Sequence, residues 1–183
     1  MSGFEALFAF YGLLLGLPIA AVVGGFGEQW RRRRSRPVGV LAPLLGLYVL
    51  LAATRQWQNL FAARDALTIT PVTLLICLAM ALPFTFAAQV MYPTAEDDAA
   101  DGDAHYLTER RVLLSVLSVP PAISLAFNLL TNPRFLTTDI AIDAFAQIAP
   151  LIVLMALVPI GKRWWHIFGL TALVLNRLIV IVA

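Results

Sequence analysis

Charged and amide side chains occur inside several long apolar stretches of this chain. Arg55, Asp143 and Arg177 each lie within such a stretch, and Asp139, Asp143 and Gln147 follow one another at steps of four. A step of four places side chains on one face of a helix. An ionisable residue inside an apolar helix is energetically costly in a membrane, so each is a hypothesis for a functional site. The candidate ligand or ion pathway consists of Arg55, Asp139, Asp143, Gln147, Asn176 and Arg177.

The chemistry expected of this set is electrostatic. We expect Asp143 to pair with Arg55 or Arg177 and the group to line a polar pocket at one end of the bundle. A second interpretation is that the same residues only anchor helix ends or clamp two helices. Both arginines are close enough to the ends of their apolar stretches to extend their head groups into water. Asp143 lies about one turn from a predicted helix N-terminus, where the helix dipole favours negative charge. The sequence leaves both interpretations open.

The residue types that most catalytic and cofactor sites require are scarce. The chain has two histidines, His105 and His166, one cysteine, Cys77, and one lysine, Lys162. These are too few for a zinc site, and the histidines are poorly placed for a haem between facing helices. The sequence contains no phosphate-binding loop and no nucleophile elbow. We therefore expect no catalytic residue, no metal and no cofactor, and the chain is not predicted to be an enzyme.

The composition is that of a membrane protein. Of 183 residues, 60% are hydrophobic and 13% are charged, and the mean hydropathy is +0.83. Soluble domains have about 25% charged residues. A helix needs about 20 mostly apolar residues to cross a bilayer. The sequence therefore predicts an all-α polytopic protein, a single domain of six transmembrane helices in one bundle. The predicted spans cover approximately residues 4–26, 38–57, 69–92, 112–131, 140–160 and 164–183.

The basic residues predict the orientation of these spans. One set of alternate loops contains Arg31, Arg32, Arg33, Arg34, Arg36, Arg110, Arg111, Lys162 and Arg163, and the other side contains Arg55, Arg64, Arg134 and Arg177. Loops rich in lysine and arginine stay in the cytoplasm, so both termini are predicted outside. The dense run Arg31–Arg36 is interpreted as a topology signal lying near lipid headgroups. Because it connects two spans in a short turn, it is a poor nucleic-acid surface, and no nucleic-acid partner is expected.

An acidic segment separates the third and fourth predicted spans. Five of the 11 acidic residues lie between Glu96 and Asp103. Low hydrophobicity and high charge predict a disordered cytoplasmic loop over residues 93–109. An EF-hand alignment with Gly102 as the turn glycine puts Ala99 and Thr108 at ligand positions. Because the bidentate glutamate is then missing, a calcium site is not expected.

Two further patterns concern helix packing. Gly12, Gly16, Ala20 and Gly24 recur at steps of four in the first span. Such a face lets another helix approach closely, either within the bundle or between two copies of the chain. Prolines interrupt five of the six spans, and the pair Pro120–Pro121 near the middle of the fourth is the best candidate for a helix break.

Three stretches carry a resemblance to a group of known proteins. "FYGLLLGLPIAAVVGGF", "HYLTERRVLLSVLS" and "KRWWHIFGLTALVL" together cover under a third of the chain. In these stretches the chain resembles small uncharacterised six-span bacterial inner-membrane proteins. The resemblance implies a multi-pass protein of the bacterial plasma membrane, and it implies no activity and no site residue.

Two classes of function follow from these observations. The first is a non-catalytic membrane component or accessory subunit, which uses the Gly12–Gly24 face to contact a second copy or a membrane partner protein. The second is a small transporter or channel, with the polar set around Asp143, Arg55 and Arg177 as its outward-facing site. In both cases the lipid bilayer is the surrounding medium.

Overall fold

A computed structural model of the chain describes residues 3–64, 70–94, 101–131 and 141–182. Within these ranges the chain forms helices joined by turns, and no strand is present. The prediction of an all-α fold is therefore confirmed for the described residues. The helices are α1 Gly3–Arg32, α2 Leu41–Ala62, α3 Pro71–Val90, α4 Gly102–Leu117, α5 Val119–Thr131, α6 Ala141–Leu157 and α7 Arg163–Val182.

Four helical stretches of the described chain are long and apolar enough to cross a membrane. They are Gly3–Arg32, Pro71–Val90, Gly102–Leu130 and Arg163–Val182. These overlap the first, third, fourth and sixth predicted spans. The second and fifth predicted spans are also helical, as α2 and α6, but α2 has a polar second half and only Gln147–Leu157 of α6 forms a shorter apolar segment. A membrane bundle is therefore consistent with the fold, whereas the count of six spans stays a prediction.

The helices pack so that the bundle has two distinct ends. At one end, Phe8 of α1 contacts Trp57 and Phe61 near the C-terminus of α2, with ring centroids 4.7 and 5.9 Å apart. Arg55 of α2 reaches the last turns of α7 there. We call this the terminus end, because the first residues of α1 and the last of α7 lie there. The opposite end, with the loop through Arg33–Arg36, is called the arginine end.

Helix α2 lies in the middle of the bundle. It packs against α1, α3, α4 and α7. Its first half is fully buried at Leu41, Leu45 and Tyr48. In its second half, Arg55, Gln56 and Gln58 are half-buried, whereas Thr54 and Asn59 are exposed.

The helix is broken close to the proline pair, at Ser118, two residues before Pro120. Helix α4 ends at Leu117, and α5 begins at Val119, so Ser118 separates them. Pro120 and Pro121 lack the N–H groups that would bond the carbonyls of residues 116 and 117. The hydroxyl of Ser118 donates to the Ser115 carbonyl at 2.6 Å, and the Ala122 N–H donates to the Ser118 carbonyl at 3.1 Å. The two helices consequently follow one another closely despite the break.

Helix packing requires a glycine at positions 25 and 46, and neither position belongs to the predicted small-residue face. A Cβ on Gly25 would lie 2.2 Å from the Tyr92 ring, and one on Gly46 would lie 2.9 Å from the Tyr92 hydroxyl. Tyr92 therefore packs directly on the backbones of α1 and α2. By contrast, a Cβ on Gly16 or Gly24 would meet no atom within 4 Å among the described residues.

The predicted packing face is largely exposed in the single chain. Gly16, Ala20 and Gly24 are exposed, and only Gly12 approaches a neighbour, with a hypothetical Cβ 3.9 Å from the Trp57 ring nitrogen. Within the described residues, therefore, this face does not form the tight contact inside the bundle that the sequence allowed. A contact between two copies of the chain stays a prediction.

The loop predicted over residues 93–109 is shorter in the structure. Helix α4 begins at Gly102, and Asp101 caps it by accepting a hydrogen bond from the Ala104 N–H at 2.7 Å. The prediction of a disordered linker was therefore wrong for residues 102–109. It failed because the following helix extends past the apolar span into charged sequence. Residues 95–100 of the predicted loop lie outside the described residues.

Candidate functional site

A small polar cavity lies between α2, α3, α5, α6 and α7 near the terminus end. Its volume is about 40 Å³. Polar side chains form one part of its wall, and apolar ones form the rest. The lining residues are Ala52, Arg55, Gln56, Asn59, Phe84, Pro121, Ser124, Gln147 and Arg177. Three of the six candidate pathway residues, Arg55, Gln147 and Arg177, therefore come together in one place.

Arg55 enters the cavity from α2. Its side chain is half-buried, and its Nη1 atom donates to the Val180 carbonyl at 3.4 Å. Val180 is three residues after Arg177, which places it on the same face of α7. The bond thus holds the Arg55 guanidinium against the face of α7 from which Arg177 projects.

Arg177 enters from α7 and is more deeply buried. Only 9% of the residue is exposed. Its guanidinium lies over the ring of Tyr48, 5.9 Å from the centroid. A guanidinium within about 6 Å of an aromatic face is attracted by the ring quadrupole. Tyr48 is fully buried, so this contact positions the Arg177 head group against a rigid part of α2.

Gln147 enters from α6, and its side chain has a defined orientation. Its Oε1 atom accepts hydrogen bonds from the Ser124 hydroxyl at 3.1 Å and the Asn128 amide at 3.0 Å. The same Asn128 amide donates to the Ser124 carbonyl at 2.9 Å. Because the oxygen is engaged on α5, the group that Gln147 can offer to the cavity is its NH₂ donor.

Apolar side chains close the cavity toward the middle of the bundle. Phe84 of α3 and Ala52 of α2 are each 2% exposed, and Pro121 adds the first turn of α5. The double-proline break therefore lies directly beside the site.

The remaining candidate residues have different outcomes. Asn176 is buried but does not line the cavity, and neither polar atom of its amide has a hydrogen-bond partner in the described part of the chain. Asp139 lies outside the described residues. Asp143 is in α6, one turn before Gln147, and its side chain also lies outside the described set. The pairing of Asp143 with an arginine stays a prediction.

Sequence reasoning left several lining residues out of the site. Ser124 and Gln56 were not among the candidates, although both carry hydrogen-bonding side chains into the cavity. Asn128 belongs to the same network. The spacing of Ser124 and Asn128, four residues apart in an apolar stretch, puts them on one face of a helix. That signal was present in the sequence.

A second polar centre, at the arginine end, depends on Asp103. This residue is 5% exposed. Its Oδ1 atom accepts from the Val40 and Leu41 N–H groups at 2.7 and 2.8 Å, and its Oδ2 atom lies 2.7 Å from Arg163. Asp103 thus caps the N-terminus of α2 from a distant helix and pairs with the first residue of α7. Sequence reasoning placed it in a flexible acidic loop, because a cap contributed from 62 residues away leaves no local signal.

A buried histidine also joins two helices at the arginine end. The Nε2 atom of His166 lies 2.7 Å from the Ile160 carbonyl, which can only accept, so Nε2 carries the proton. The Nδ1 atom of His166 is then unprotonated, and it accepts a hydrogen bond from the Tyr106 hydroxyl at 3.0 Å. Both side chains are fully buried and satisfied. This arrangement is a structural link between α4 and α7.

The basic run lies where α1 ends. Arg31 and Arg32 are in the last turn of α1, and both pair with Glu28, at 2.5 and 2.7 Å. The guanidinium of Arg33 lies over the Trp30 ring at 4.7 Å. Arg33 and Arg34 are exposed. The exposed part of this surface is compatible with a lipid headgroup region.

Comparison with known proteins adds no relative. No family model, curated protein or solved structure matches the chain. The site must therefore be interpreted from its own geometry. Within the described residues, no group of three or more histidine, cysteine or acidic side chains could hold a metal ion.

Proposed function

We propose that the chain is a multi-pass integral membrane protein, a small transporter or channel whose site is the cavity lined by Arg55, Gln147 and Arg177. In this proposal all six apolar segments span the bacterial inner membrane. The single observation that carries it is the convergence of both arginines and the oriented Gln147 amide on one cavity. Helix anchoring alone would not require the two arginines to share a chamber with four other polar residues.

The orientation is part of the same proposal. Arg31–Arg36, Arg163 and the start of α4 lie at the arginine end, which we assign to the cytoplasm because basic loops are retained there. The terminus end, with both chain ends and the cavity, then faces outside. Trp57, which packs against Phe8 and Phe61 at this end, suits a membrane interface, where the amphipathic rings of Trp and Tyr are enriched.

Thiol labelling from outside the cell tests this proposal. Cys77, the only cysteine, is first replaced by serine. Gln147→Cys is then exposed on intact cells to silver ions, which bind thiolates, do not cross a bilayer and are small enough for a cavity of about 40 Å³. Silver labelling is detected as the loss of maleimide reactivity in the denatured protein. We expect labelling, since a thiolate in a wet cavity reacts. Ile152→Cys, on the exposed apolar surface of the same helix, is the matched control and should stay unlabelled in lipid.

A further control reports on the side of the membrane. Arg64→Cys lies exposed just after α2 at the terminus end. Labelling of Arg64→Cys without labelling of Gln147→Cys would contradict an open cavity. Labelling of Arg34→Cys instead of Arg64→Cys would contradict the orientation.

One observation favours a second candidate, a membrane component that binds another transmembrane helix. Gly16, Ala20 and Gly24 form an exposed face on which the Ala20 methyl group is the largest side chain. Close helix approach in lipid depends on such small residues, because packing drives association there. The partner in this case is a second copy of the chain or an accessory protein.

A further inference from the structure

We infer that a groove between α1 and α3 at the arginine end binds one phospholipid that has a primary ammonium in its headgroup. The inference rests on the membrane location in the proposed function and requires nothing of the cavity near the terminus end. Three features of the groove support it: its volume, the change in polarity along its length, and a buried amide oxygen beside its polar end.

The groove is open and lies between the last turns of α1 and the end of α3. Its volume is about 490 Å³, which is within the range of about 300–1,000 Å³ that is usual for small-molecule sites. The residues of α1 that line it share one helix face, and they are Ala21, Gly24, Gly25, Glu28 and Arg32. At 1.5 Å per residue, this wall is about 16 Å long. The groove therefore follows the axis of a predicted membrane-spanning helix.

The polarity of the groove changes along its length. Ala21, Gly24 and Ala88 form the part nearer the middle of the bundle, and Glu28 and Arg32 form the part nearer the arginine end. A phospholipid in a bilayer has the same arrangement, with its acyl chains inward and its headgroup at the interface. A transmembrane helix filling the groove would place apolar side chains against Glu28 and Arg32, and burying these groups without polar partners is unfavourable.

The polar end of the groove adjoins a small recess that contains an unpartnered acceptor. The recess has a volume of about 20 Å³, and it shares Glu28, Arg32, Pro93 and Thr94 with the groove. Gln29 lines the recess and is only 8% exposed, and its Oε1 atom has no hydrogen-bond partner among the described residues. A buried acceptor without a donor is unfavourable. We therefore expect the ligand to donate a hydrogen bond to Gln29.

The size of the recess and its acceptors select a primary ammonium. A space of about 20 Å³ holds one water-sized group. An ammonium is of that size and has three N–H donors, and Asp101 and Glu28 add carboxylates to the wall beside Gln29. The trimethylammonium of a choline headgroup is larger and has no N–H. The groups in the recess therefore match an ethanolamine headgroup.

Arg32 supplies donors for the phosphate of the same headgroup. Its Nη2 atom pairs with Glu28 at 2.7 Å, and its side chain is 42% exposed. Because a guanidinium has five N–H donors in a planar fork, Arg32 can bond Glu28 and a phosphate oxygen together. The assignment depends on this pattern of donors and acceptors and not on the net charge of the arginine end.

The test measures thermal unfolding of the purified full chain in neutral detergent with added phosphatidylethanolamine or phosphatidylcholine. The two lipids have identical acyl chains and the same net charge. Because a ligand that binds the folded state stabilises it by mass action, we expect a saturable rise in the unfolding temperature with phosphatidylethanolamine. The apparent affinity for phosphatidylcholine should be at least about tenfold weaker. Equal stabilisation by the two lipids would overturn the inference.

A substitution in the apolar part of the groove tests the place of binding. Gly24→Leu fills this part, and because no described atom lies within 4 Å of a Cβ at that position, the variant should still fold. We expect its affinity for phosphatidylethanolamine to fall at least about tenfold. Gly16→Leu, about two turns earlier in α1 and outside the groove wall, is the matched control and should bind the lipid like the wild type. Weaker self-association in both variants with unchanged lipid binding would overturn the inference in favour of a second copy of the chain.

A variant at Gln29 separates a role in binding from a role in folding. Because the Gln29 oxygen has no described partner, Gln29→Leu should not destabilise the lipid-free protein. We expect this variant to bind phosphatidylethanolamine no more tightly than phosphatidylcholine. A preference for phosphatidylethanolamine that persists in Gln29→Leu would contradict the contact between the ammonium and Gln29 and so overturn the inference.

Two further outcomes distinguish the lipid site from the proposed function. Absence of any saturable effect of phosphatidylethanolamine, together with outside labelling of Gln147→Cys, would overturn the lipid site and leave the proposed function in place. A saturable, headgroup-selective effect together with an unlabelled Gln147→Cys would support the lipid site and contradict the open cavity. Phosphatidylglycerol that binds as tightly as phosphatidylethanolamine would overturn the choice of an ammonium, because its headgroup donates only through hydroxyl groups.

Discussion

At the scale of single residues, the polar cavity could be predicted in part from the sequence, whereas the polar centre at Asp103 could not. Arg55, Gln147 and Arg177 could be predicted as one set because each is costly in an apolar stretch, so its presence alone indicates a role. Asp103 could not, because it lies in a run of acidic residues and its partners, Leu41 and Arg163, are far away in the chain. A polar residue can be recognised as a candidate when its sequence neighbours are apolar, but not when its sequence neighbours are polar as well.

The stability of the arginine end should depend strongly on Asp103. We expect Asp103→Ala to lower the free energy of unfolding by about 2–4 kcal/mol, because it removes the cap of α2 and leaves buried donors unsatisfied. Asp101→Ala removes only the local cap of α4 and should cost about 1 kcal/mol. Chemical denaturation in detergent measures both. Equal losses for the two variants would contradict the role assigned to Asp103.

Adjacent glycines in α1 give an internal comparison for packing. Gly25→Ala should destabilise the fold by about 1–3 kcal/mol, because its methyl group would overlap the buried Tyr92 ring. Gly24→Ala should be neutral or slightly stabilising in the monomer, since nothing in the described chain lies near that position. Unfolding of the two variants under identical conditions checks this. A neutral Gly25→Ala would show that Tyr92 does not pack on α1 as described.

At the scale of helices, apolar periodicity and caps predicted which segments are helical, and long-range packing determined the rest. Thr70 caps α3 by accepting from the Thr73 N–H at 3.1 Å, with Pro71 at the first helical position. These signals are local, so the start of α3 was predicted to within two residues. Helix α4 begins ten residues before the predicted span, because Asp101 and Asp103 stabilise helical turns outside the apolar sequence.

The small-residue face of α1 has no closely packed partner at Gly16 and Gly24 among the described residues. We expect Gly16→Leu to reduce self-association in mild detergent by at least about tenfold in dissociation constant, because a large side chain prevents close helix approach. Leu13→Ile, elsewhere on the exposed surface of α1, is the control. Sedimentation or single-molecule photobleaching measures the oligomer. A wild type that is monomeric at all concentrations would contradict a contact between copies.

At the scale of the whole molecule, the distribution of basic residues is the basis of the proposed orientation in the membrane. Arg33 and Arg34 of the arginine end are exposed, and near an anionic lipid surface each would contribute about 1 kcal/mol of attraction. This orientation is a prediction from the sequence alone and does not depend on the fold. The convergence of α2, α3, α5, α6 and α7 on a cavity could not be predicted, because it depends on how the helices pack around α2 and on the break at Ser118.

The orientation has a direct consequence for insertion. A reporter that is active only outside the cytoplasm should be active when fused after Ala183. Replacing Arg31, Arg32, Arg33, Arg34 and Arg36 by glutamine should scramble or weaken the orientation of the first two spans, because the retention signal is lost. Reporter fusions in that background measure the change. Unchanged orientation would show that the other basic loops suffice.

The central claim is that Arg55, Gln147 and Arg177 line one cavity, which we propose is open to the outside of the cell. The most direct measurement is the reaction of Gln147→Cys with silver ions added to intact cells, compared with the reaction of Ile152→Cys. We predict that the thiol at position 147 binds silver and that the thiol at position 152 does not. A Gln147→Cys thiol that reacts no more readily than Ile152→Cys would contradict the account.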